Sequence, residues 1–205
     1  FGLFSAATMS QSQTTGFRHI TDNFPLFGFG NPAFAYLQTA KELIENSIDA
    51  CRDQDNSSIV VTMKIDQLAF SLMLEVRDDG CGMADPKQFL SLFCTTKNDP
   101  IGAITNERGQ TGKFGLGLPA CLLSSLLNTH KPLRIITKTH DTTATATDFS
   151  FNFTTGEPSI EQTAYITAGG DYPASFTLVA LSLKWIEDPE DFSHGKKTSL
   201  MVSLV

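Results

Sequence analysis

Three short segments in a fixed order constrain the fold of this 205-residue chain more than any other feature of its sequence. Residues 41–50 are polar and apolar at helical spacing, residues 78–83 read Asp-Asp-Gly-Cys-Gly-Met, and residues 112–117 read Gly-Lys-Phe-Gly-Leu-Gly. The first can present a carboxylate and a metal-binding amide on one helix face, the second is a glycine turn headed by an acid, and the third is a glycine loop that opens a helix. Together they predict a nucleotide site with a metal ion and a general base.

The apolar periodicity around these segments predicts an α+β fold. Helical spacing follows the Asn31-Pro32 pair through about residue 51 and recurs over 117–127, and Asp85-Pro86 caps a short helix through residue 93. Alternating runs predict a hairpin of 59–65 and 68–76, joined tightly at 66–67, and further strands over 133–139, 147–153, 159–167, 176–183 and 198–205. We therefore expect a two-layer sandwich: a mostly antiparallel or mixed sheet of about seven or eight strands, with helices on one face. Residues 1–30 are an N-terminal arm in this prediction, and residues 31–205 form the domain.

Composition and charge exclude several classes of protein. With 41% hydrophobic and 18% charged residues, the chain can bury one sizeable core. No run reaches about 18 consecutive apolar residues, so we expect no membrane span. The formal net charge of −7 argues against a general nucleic-acid-binding face. Four cysteines without a CxxC pair predict buried reduced thiols rather than a disulfide or zinc site. Because the chain starts at Phe1 and stops inside an alternating run, we expect it to be a domain of something longer.

The first segment carries the candidate catalytic residues. Glu42, Asn46 and Asp49 stand at i, i+4 and i+7, so they share one helix face. A solvated polar stripe is the plain alternative, but Asn is a mediocre helix-interior residue and its amide oxygen suits Mg²⁺. One turn earlier, Glu42 could orient a water molecule for attack on a phosphate beside that metal.

The second segment runs from a strand directly into a Gly-x-Gly turn. An ordinary tight turn is the alternative, because Asp-Gly is a common turn pair. In the functional interpretation, Asp78 accepts a hydrogen bond from an exocyclic amine, and Gly82 lets a base approach the backbone closely.

The third segment belongs to a run with glycines at 109, 112, 115 and 117, followed at once by a helix. Backbone N–H groups at a helix start hold anions, and Lys113 and Lys97 could neutralise phosphate charge. The run is neither a P-loop nor a dinucleotide fingerprint. A flexible linker fits poorly, because the apolar residues Phe114, Leu116 and Leu118 interleave with the glycines.

These three motifs resemble the nucleotide-binding boxes of the GHKL, or Bergerat-fold, ATPases, which include type II topoisomerases, ATP-dependent heat-shock chaperones, MutL and histidine kinases. Within that group the chain is most similar to the B subunit of topoisomerase VI. Residues 27–32 resemble its N-terminal strap, residues 112–135 its phosphate loop, helix and strand entry, and residues 194–200 its His-Gly-Thr strand. Residues 17–205 share the resemblance.

The resemblance implies a role for each matching residue. Glu42 would be the general base, Asn46 the Mg²⁺ ligand beside the phosphates of ATP, and Asp78 the acceptor for the adenine amine. The remaining implied nucleotide contacts are Gly82 and Met83 after Asp78, Thr198 in support of it, Thr96 and Lys97 in the lid, and Gly112, Lys113, Phe114, Gly115, Leu116, Gly117 and Leu118 in the phosphate loop. Asp49 would be structural or would assist the adenine pocket. Two departures stand out: Asp79 replaces the usual Asn, and two lysines precede Thr198 where Gly is usual.

The resemblance also implies partners. ATP would drive homodimerisation, each arm reaching across to the other copy, and the clamp would trap double-stranded DNA while a topoisomerase VI A subunit, in a heterotetramer, cuts and rejoins the other duplex. A catalytic Lys would come from a following transducer domain. The alternatives are a meiotic topoisomerase VI B-like protein acting in DNA break formation and a MORC-like or MutL-like ATPase. We expect an intracellular protein, nuclear if eukaryotic and cytoplasmic if archaeal, with no membrane partner.

Overall fold

Seven strands form one antiparallel sheet in the computed structural model, which describes residues 17–66, 71–90, 116–166, 172–184 and 199–204. The strands are β1 (Ile59–Asp66), β2 (Ser71–Asp78), β3 (Leu133–Lys138), β4 (Thr145–Asn152), β5 (Glu157–Tyr165), β6 (Phe176–Lys184) and β7 (Ser199–Leu204). Their order across the sheet is β5-β4-β3-β6-β2-β1-β7, which places β2 beside β6 near the middle. Every pairing is antiparallel.

The helices cover one face of this sheet, which confirms the predicted two-layer α+β sandwich. A first helix, α1, covers 17–22, α2 is Pro32–Cys51 and α3 is Gly117–Thr129, with 3-10 turns at Phe24–Phe27 and Pro86–Leu90. Nine consecutive residues of α3, from Leu118 to Leu126, are buried, so this helix is enclosed by protein. No helix in the described ranges has the length and hydropathy that crossing a bilayer requires.

Two adjacent faces of the α2 helix differ in burial. Thr39, Ala40, Leu43 and Ser47 are buried against the core. Glu42 and Asn46 lie on the adjacent face and keep partial exposure. Because 3.6 residues make one turn, a single helix can pack one face in the core and present the candidate site side chains beside it.

Two predicted boundaries differ from the structure. The hairpin register pairs Asp66 with Ser71, so residues 67–70 connect the two strands instead of a tight join at 66–67. The apolar residues Leu68 and Phe70 extended the alternating pattern beyond the strand. After Asp85, whose side chain accepts the Lys87 N–H at 3.0 Å, the chain forms only a 3-10 turn, and residues 91–93 lie outside the described part.

The described half of the N-terminal arm packs into the core of its own domain. Phe17 and Ile20 are fully buried, and Phe24 and Phe29 are buried further along. The Phe17 ring lies 5.2 Å from the ring of Phe151 on β4. Residues 17–30 are therefore anchored in the core of their own domain.

We predict that Phe17→Ala destabilises the domain by about 3–5 kcal/mol, because it empties a fully buried aromatic site. Leu26→Ala is the matched control on the same arm: its side chain is 82% exposed, and we expect a change within about 0.5 kcal/mol. Urea denaturation followed by circular dichroism measures both. Equal stabilities of Phe17→Ala and wild type would show that the arm is not part of the core.

Candidate active site

The described parts of the three sequence segments meet in space, because α2 contacts both Asp78 and Gly117. The Ser47 hydroxyl on α2 donates to Asp78 Oδ2 at the end of β2, at 2.8 Å. One turn earlier on α2, the Glu42 carboxylate lies against Gly117, the first residue of α3. The candidate site therefore lies along α2, with the Glu42 carboxylate at one end and the Asp78 carboxylate at the other.

Glu42 is held through one oxygen and open at the other. Gln38 Nε2 donates to Glu42 Oε1 at 2.8 Å, and Lys41 Nζ lies 3.6 Å from the same oxygen. Glu42 Oε2 occupies the place that a Cβ on Gly117 would take, so glycine at 117 is what admits the carboxylate. With its side chain 20% exposed, Glu42 can reach solvent yet keeps a defined orientation.

The buried neighbour of Glu42 is a thiol. Cys121, one turn into α3, is fully buried, and burial is the main cause that raises the pKa of its thiol, with the Glu42 charge adding to it. Cys121 is therefore neutral at physiological pH. The Cys121 thiol therefore adds no second negative charge beside the Glu42 carboxylate.

Asn46 and Asp49 follow Glu42 on the same face but differ in their partners. Within the described ranges no hydrogen bond engages the Asn46 amide, which leaves its oxygen available as a ligand. The Asp49 carboxylate pairs with Arg52, whose Nη2 lies 2.6 Å from Oδ1. Asn46, rather than Asp49, is free to bind something from outside.

Asp78 is a buried carboxylate at the C-terminal end of β2. It is 4% exposed, and it accepts from the Ser47 hydroxyl and from the Gly80 N–H at 3.1 Å, with a further bond from the Thr177 backbone. Burial outweighs these bonds and raises the pKa of Asp78 from 3.8 to about 6. At neutral pH it is an ionised, poorly hydrated acceptor that suits a donor from a ligand.

Close backbone packing requires glycine at both positions 80 and 82 of the turn after Asp78. A Cβ on Gly80 would lie 2.6 Å from the Ala50 carbonyl oxygen, which also accepts the Cys81 N–H at 3.1 Å. Gly82 has φ +73° and its Cα faces the Lys138 carbonyl too closely for any side chain. The turn packs between the end of α2 and the end of β3, and this packing fixes the position of Asp78.

Asp79, the departure from the usual Asn, holds the start of β1. Its carboxylate accepts the Ser58 N–H at 2.5 Å and the Ser58 hydroxyl at 2.8 Å. The Asp79 N–H in turn bonds the Ser58 carbonyl at 3.3 Å. Asp79 thus has a structural role in this chain.

Two buried threonines beside Asp78 were missed by sequence reasoning. Thr177 pairs directly with Asp78 across β6 and β2, and Thr137 lies on the next strand with its hydroxyl 3.4 Å from that of Thr177. The Met83 N–H donates to Thr137 Oγ1 at 2.8 Å. The available signal was polar residues at inward positions of otherwise apolar strands, which gains meaning only once the register is known.

Several predicted site residues lie outside the described residues: Thr96, Lys97, Gly112, Lys113, Phe114, Gly115 and Thr198. Within the described residues, Thr177 adjoins Asp78.

Leu116, Leu118 and Met83 connect the site to the core. Leu118 is buried, while Leu116 and Met83 are partly buried and pack against the core cluster. Their packing against the core holds the start of α3 and the glycine turn in place. These three apolar side chains can therefore shape the site without making a polar contact themselves.

The donor set suits a hard cation better than zinc. The described part of the chain holds no group of three or more His, Cys, Asp or Glu residues that could bind a metal, and Cys51, Cys81 and Cys121 are free thiols. Cys81 is exposed, contrary to the prediction of buried thiols. The open amide of Asn46 fits Mg²⁺, which commonly takes one or two protein oxygens and completes its shell with water and phosphate.

Comparison with known proteins shows the family to which the chain belongs. Residues 33–159 match the family model described as histidine kinase-, DNA gyrase B-, and HSP90-like ATPase, and the chain belongs to that family. Among curated proteins it is similar to the B subunit of type 2 DNA topoisomerase 6 from Archaeoglobus fulgidus, 30% identical over 124 residues that cover 58% of this chain and 19% of that protein. The corresponding protein from Saccharolobus islandicus is 35% identical over 120 residues, covering 56% and 21%. The chain thus spans about a fifth of the length of these relatives.

The fold has a counterpart among solved structures. The ATPase and transducer domains of DNA topoisomerase II from Balamuthia mandrillaris superpose with a TM-score of 0.50 at 15% identity, covering 74% of this chain and 37% of that one. At this identity the likeness shows a shared fold.

Proposed function

We propose that this chain is the ATP-binding and hydrolysing domain of a topoisomerase VI B-like protein, in which ATP drives dimerisation and gates the passage of DNA. One observation carries the proposal: Glu42 Oε2 lies at the start of α3, where phosphate would bind, and the buried acceptor Asp78 is tied to the same helix as Glu42 through Ser47. Similarity to the B subunits of topoisomerase 6 supports the choice among family members.

The adenine end is read by Asp78. Its carboxylate accepts a hydrogen bond from the exocyclic amine, while Ser47 and Gly80 hold it in place. Thr177, the register partner of Asp78, supports that carboxylate, and Thr198 keeps the supporting role that the resemblance implies. The clasped turn at Gly82 and Met83 forms the adjoining backbone wall.

The phosphate end is formed by α3. Its first N–H groups have no intrahelical acceptor, and Leu116 at the N-cap makes no side-chain hydrogen bond to them. Such a terminus attracts anions, and the glycine loop of residues 112–117 leads into it. Asn46 would hold Mg²⁺, which when bound neutralises phosphate charge.

Hydrolysis then needs one proton acceptor. A water oxygen attacks the γ-phosphorus, the bond to the β–γ bridging oxygen breaks, and Glu42 Oε2 takes the proton from the water. Gln38 holds Glu42 Oε1, so the carboxylate cannot turn away.

The wider assembly belongs to the same proposal: a homodimer formed on ATP binding, a heterotetramer with an A subunit, and double-stranded DNA held by the full complex, inside the cell. A break-forming relative without turnover is the rival. The placement of Glu42 at the start of α3 favours ATP turnover, because a structural component has no need of a base beside the phosphate site.

The isolated 205-residue chain should bind Mg·ATP and hydrolyse it poorly, because the expected catalytic Lys belongs to a following domain. Titration calorimetry with a non-hydrolysable ATP analogue should give saturable, Mg²⁺-dependent binding, and Asn46→Ala should weaken it by about 10-fold or more. Asn128→Ala, in the last turn of α3, is the matched control and should bind like wild type. An absence of binding by wild type, or full turnover by this fragment, would contradict the proposal.

A further inference from the structure

Gln38 contacts both the general base and the N-terminal arm. It lies one turn before Glu42 on α2 and donates from Nε2 to Glu42 Oε1 at 2.8 Å. On its other side is Gly28: a Cβ there would lie 3.1 Å from Cγ, Cδ and Oε1 of Gln38. The Gln38 side chain therefore fills the space between the arm and the base.

The arm at Gly28 is a fixed surface. Gly28 ends the 3-10 turn Phe24–Phe27 in the left-handed conformation, with φ 84°, and its N–H bonds back to Phe24 and Pro25. The flanking rings of Phe24 and Phe29 are buried and lie 5.4 Å apart. Because both flanks are anchored, Gly28 restricts where the Gln38 amide can go.

No other described side chain holds Glu42 Oε1 as closely. Lys41 Nζ is 3.6 Å away, and it makes its short contact, 3.0 Å, with Glu45 instead. Lys41 is also more than half exposed, so its charge is screened by water. The orientation of Glu42 thus depends mainly on Gln38.

We propose that Gln38 is a positioning residue that orients Glu42 with Oε2 toward the start of α3, and that it couples the N-terminal arm to the base. This rests on the proposed function, since it matters only if Glu42 accepts a proton. The hydrogen bond from Gln38 occupies Oε1 and leaves Oε2 as the oxygen that can accept a proton. The same hydrogen bond prevents rotation of the Glu42 carboxylate. A small misplacement of a catalytic group lowers the reaction rate strongly.

The test compares Gln38→Glu and Gln38→Leu with wild type in the full-length protein. Gln38→Glu keeps the shape against Gly28 but removes the donor and adds a like charge, so kcat should fall about 10- to 100-fold and the acid limb of the kcat–pH profile should move to higher pH. Gln38→Leu should lower kcat similarly with a smaller pH shift. For both, the Kd of a non-hydrolysable ATP analogue should stay within about 2-fold, because no contact to the nucleotide is lost.

Gly28→Ala tests the coupling from the arm, because the added methyl would lie 3.1 Å from the Gln38 side chain. It should lower kcat while leaving the analogue Kd unchanged. Gly28 has φ +84°, so the substitution also strains the turn, and the melting temperature is measured beside kcat. An unchanged kcat in a folded Gly28→Ala variant would overturn the coupling. The control for an added charge is Gln88→Glu, at an exposed position in the second 3-10 turn, which should leave kcat unchanged.

The outcomes separate the two proposals. If wild type neither binds nor hydrolyses ATP, the proposed function fails. If wild type hydrolyses ATP and both Gln38 variants keep its kcat and pH profile, the positioning role is wrong. A loss of analogue binding that matches the loss of kcat would also overturn it, since Gln38 would then be a binding residue. Melting temperatures, measured on each variant, identify any that fail to fold.

Discussion

Replacing Asp78 with asparagine should strongly weaken nucleotide binding and at the same time make the folded domain more resistant to denaturation. Asparagine keeps the shape: its oxygen can accept from Gly80, and its NH₂ group can donate to the Ser47 hydroxyl. It would then present a donor or a neutral oxygen to the ligand amine in place of a carboxylate. A hydrogen bond to a charged group contributes about 1.5–3 kcal/mol, so binding should weaken by about 10- to 100-fold, and by more where two donors meet.

The gain in stability follows from the raised pKa of Asp78. The folded state holds this proton more tightly than the unfolded chain, with a pKa of about 6 against 3.8. Such a group favours the folded state at low pH, and this advantage is lost as the pH rises through about 6. Two pKa units correspond to about 3 kcal/mol at pH 8 and to about half of that at pH 5. The advantage of Asp78→Asn over wild type should therefore be largest at pH 8 and shrink at pH 5.

Urea denaturation at the two pH values and titration with a fluorescent ATP analogue measure both effects. Wild-type binding should itself weaken below about pH 6, as Asp78 becomes protonated. Asp79→Asn is the matched control on the neighbouring residue. It disturbs the bonds to Ser58, so it should destabilise the domain by about 1 kcal/mol and spare binding. An Asp78→Asn variant that binds normally would remove Asp78 from the nucleotide site.

The fold was largely readable from the sequence because the apolar pattern specifies faces. The limits of α2 and α3 and the number of strands agree with the prediction, since long periodic segments leave little choice of period. The hairpin connection differed because apolar residues continue past the strand, and alternation carries no information on where pairing stops. Pairing order across the sheet also needed the structure: β6 beside β2 joins segments about 100 residues apart in the chain.

The residues of the candidate site likewise divide into those with a local sequence signal and those without one. Glu42, Asn46 and Asp78 could be predicted as site residues because each lies in a local motif with its own spacing. Thr177 and Gln38 could not, for different reasons. Thr177 becomes relevant only through its register with Asp78, which is a non-local fact. Gln38 stands at i−4 from Glu42, a spacing that permits a hydrogen bond, but only the packing of Gly28 shows that its rotamer is constrained.

Replacing Glu42 with glutamine should separate binding from chemistry. The substitution preserves the shape against Gly117 and the bond from Gln38, because an amide oxygen can still accept at the Oε1 position. What it removes is the proton acceptor at Oε2. General-base catalysis contributes about 10²- to 10⁴-fold, so ATP turnover by the full-length protein should fall by that factor while the Kd for an ATP analogue changes by less than about 3-fold.

The control for that substitution is Glu45→Gln, on the same helix. The Glu45 carboxylate engages Lys41 rather than the start of α3, so its loss should leave turnover close to wild type. Steady-state phosphate release and analogue binding, measured on the three proteins, give the comparison. Equal turnover by wild type and Glu42→Gln would exclude Glu42 as the base, whereas a parallel loss of binding and turnover would make it a phosphate-site or metal-site residue. Only selective loss of turnover fits the proposal that Glu42 is held by Oε1 and accepts the proton through Oε2, at the start of α3.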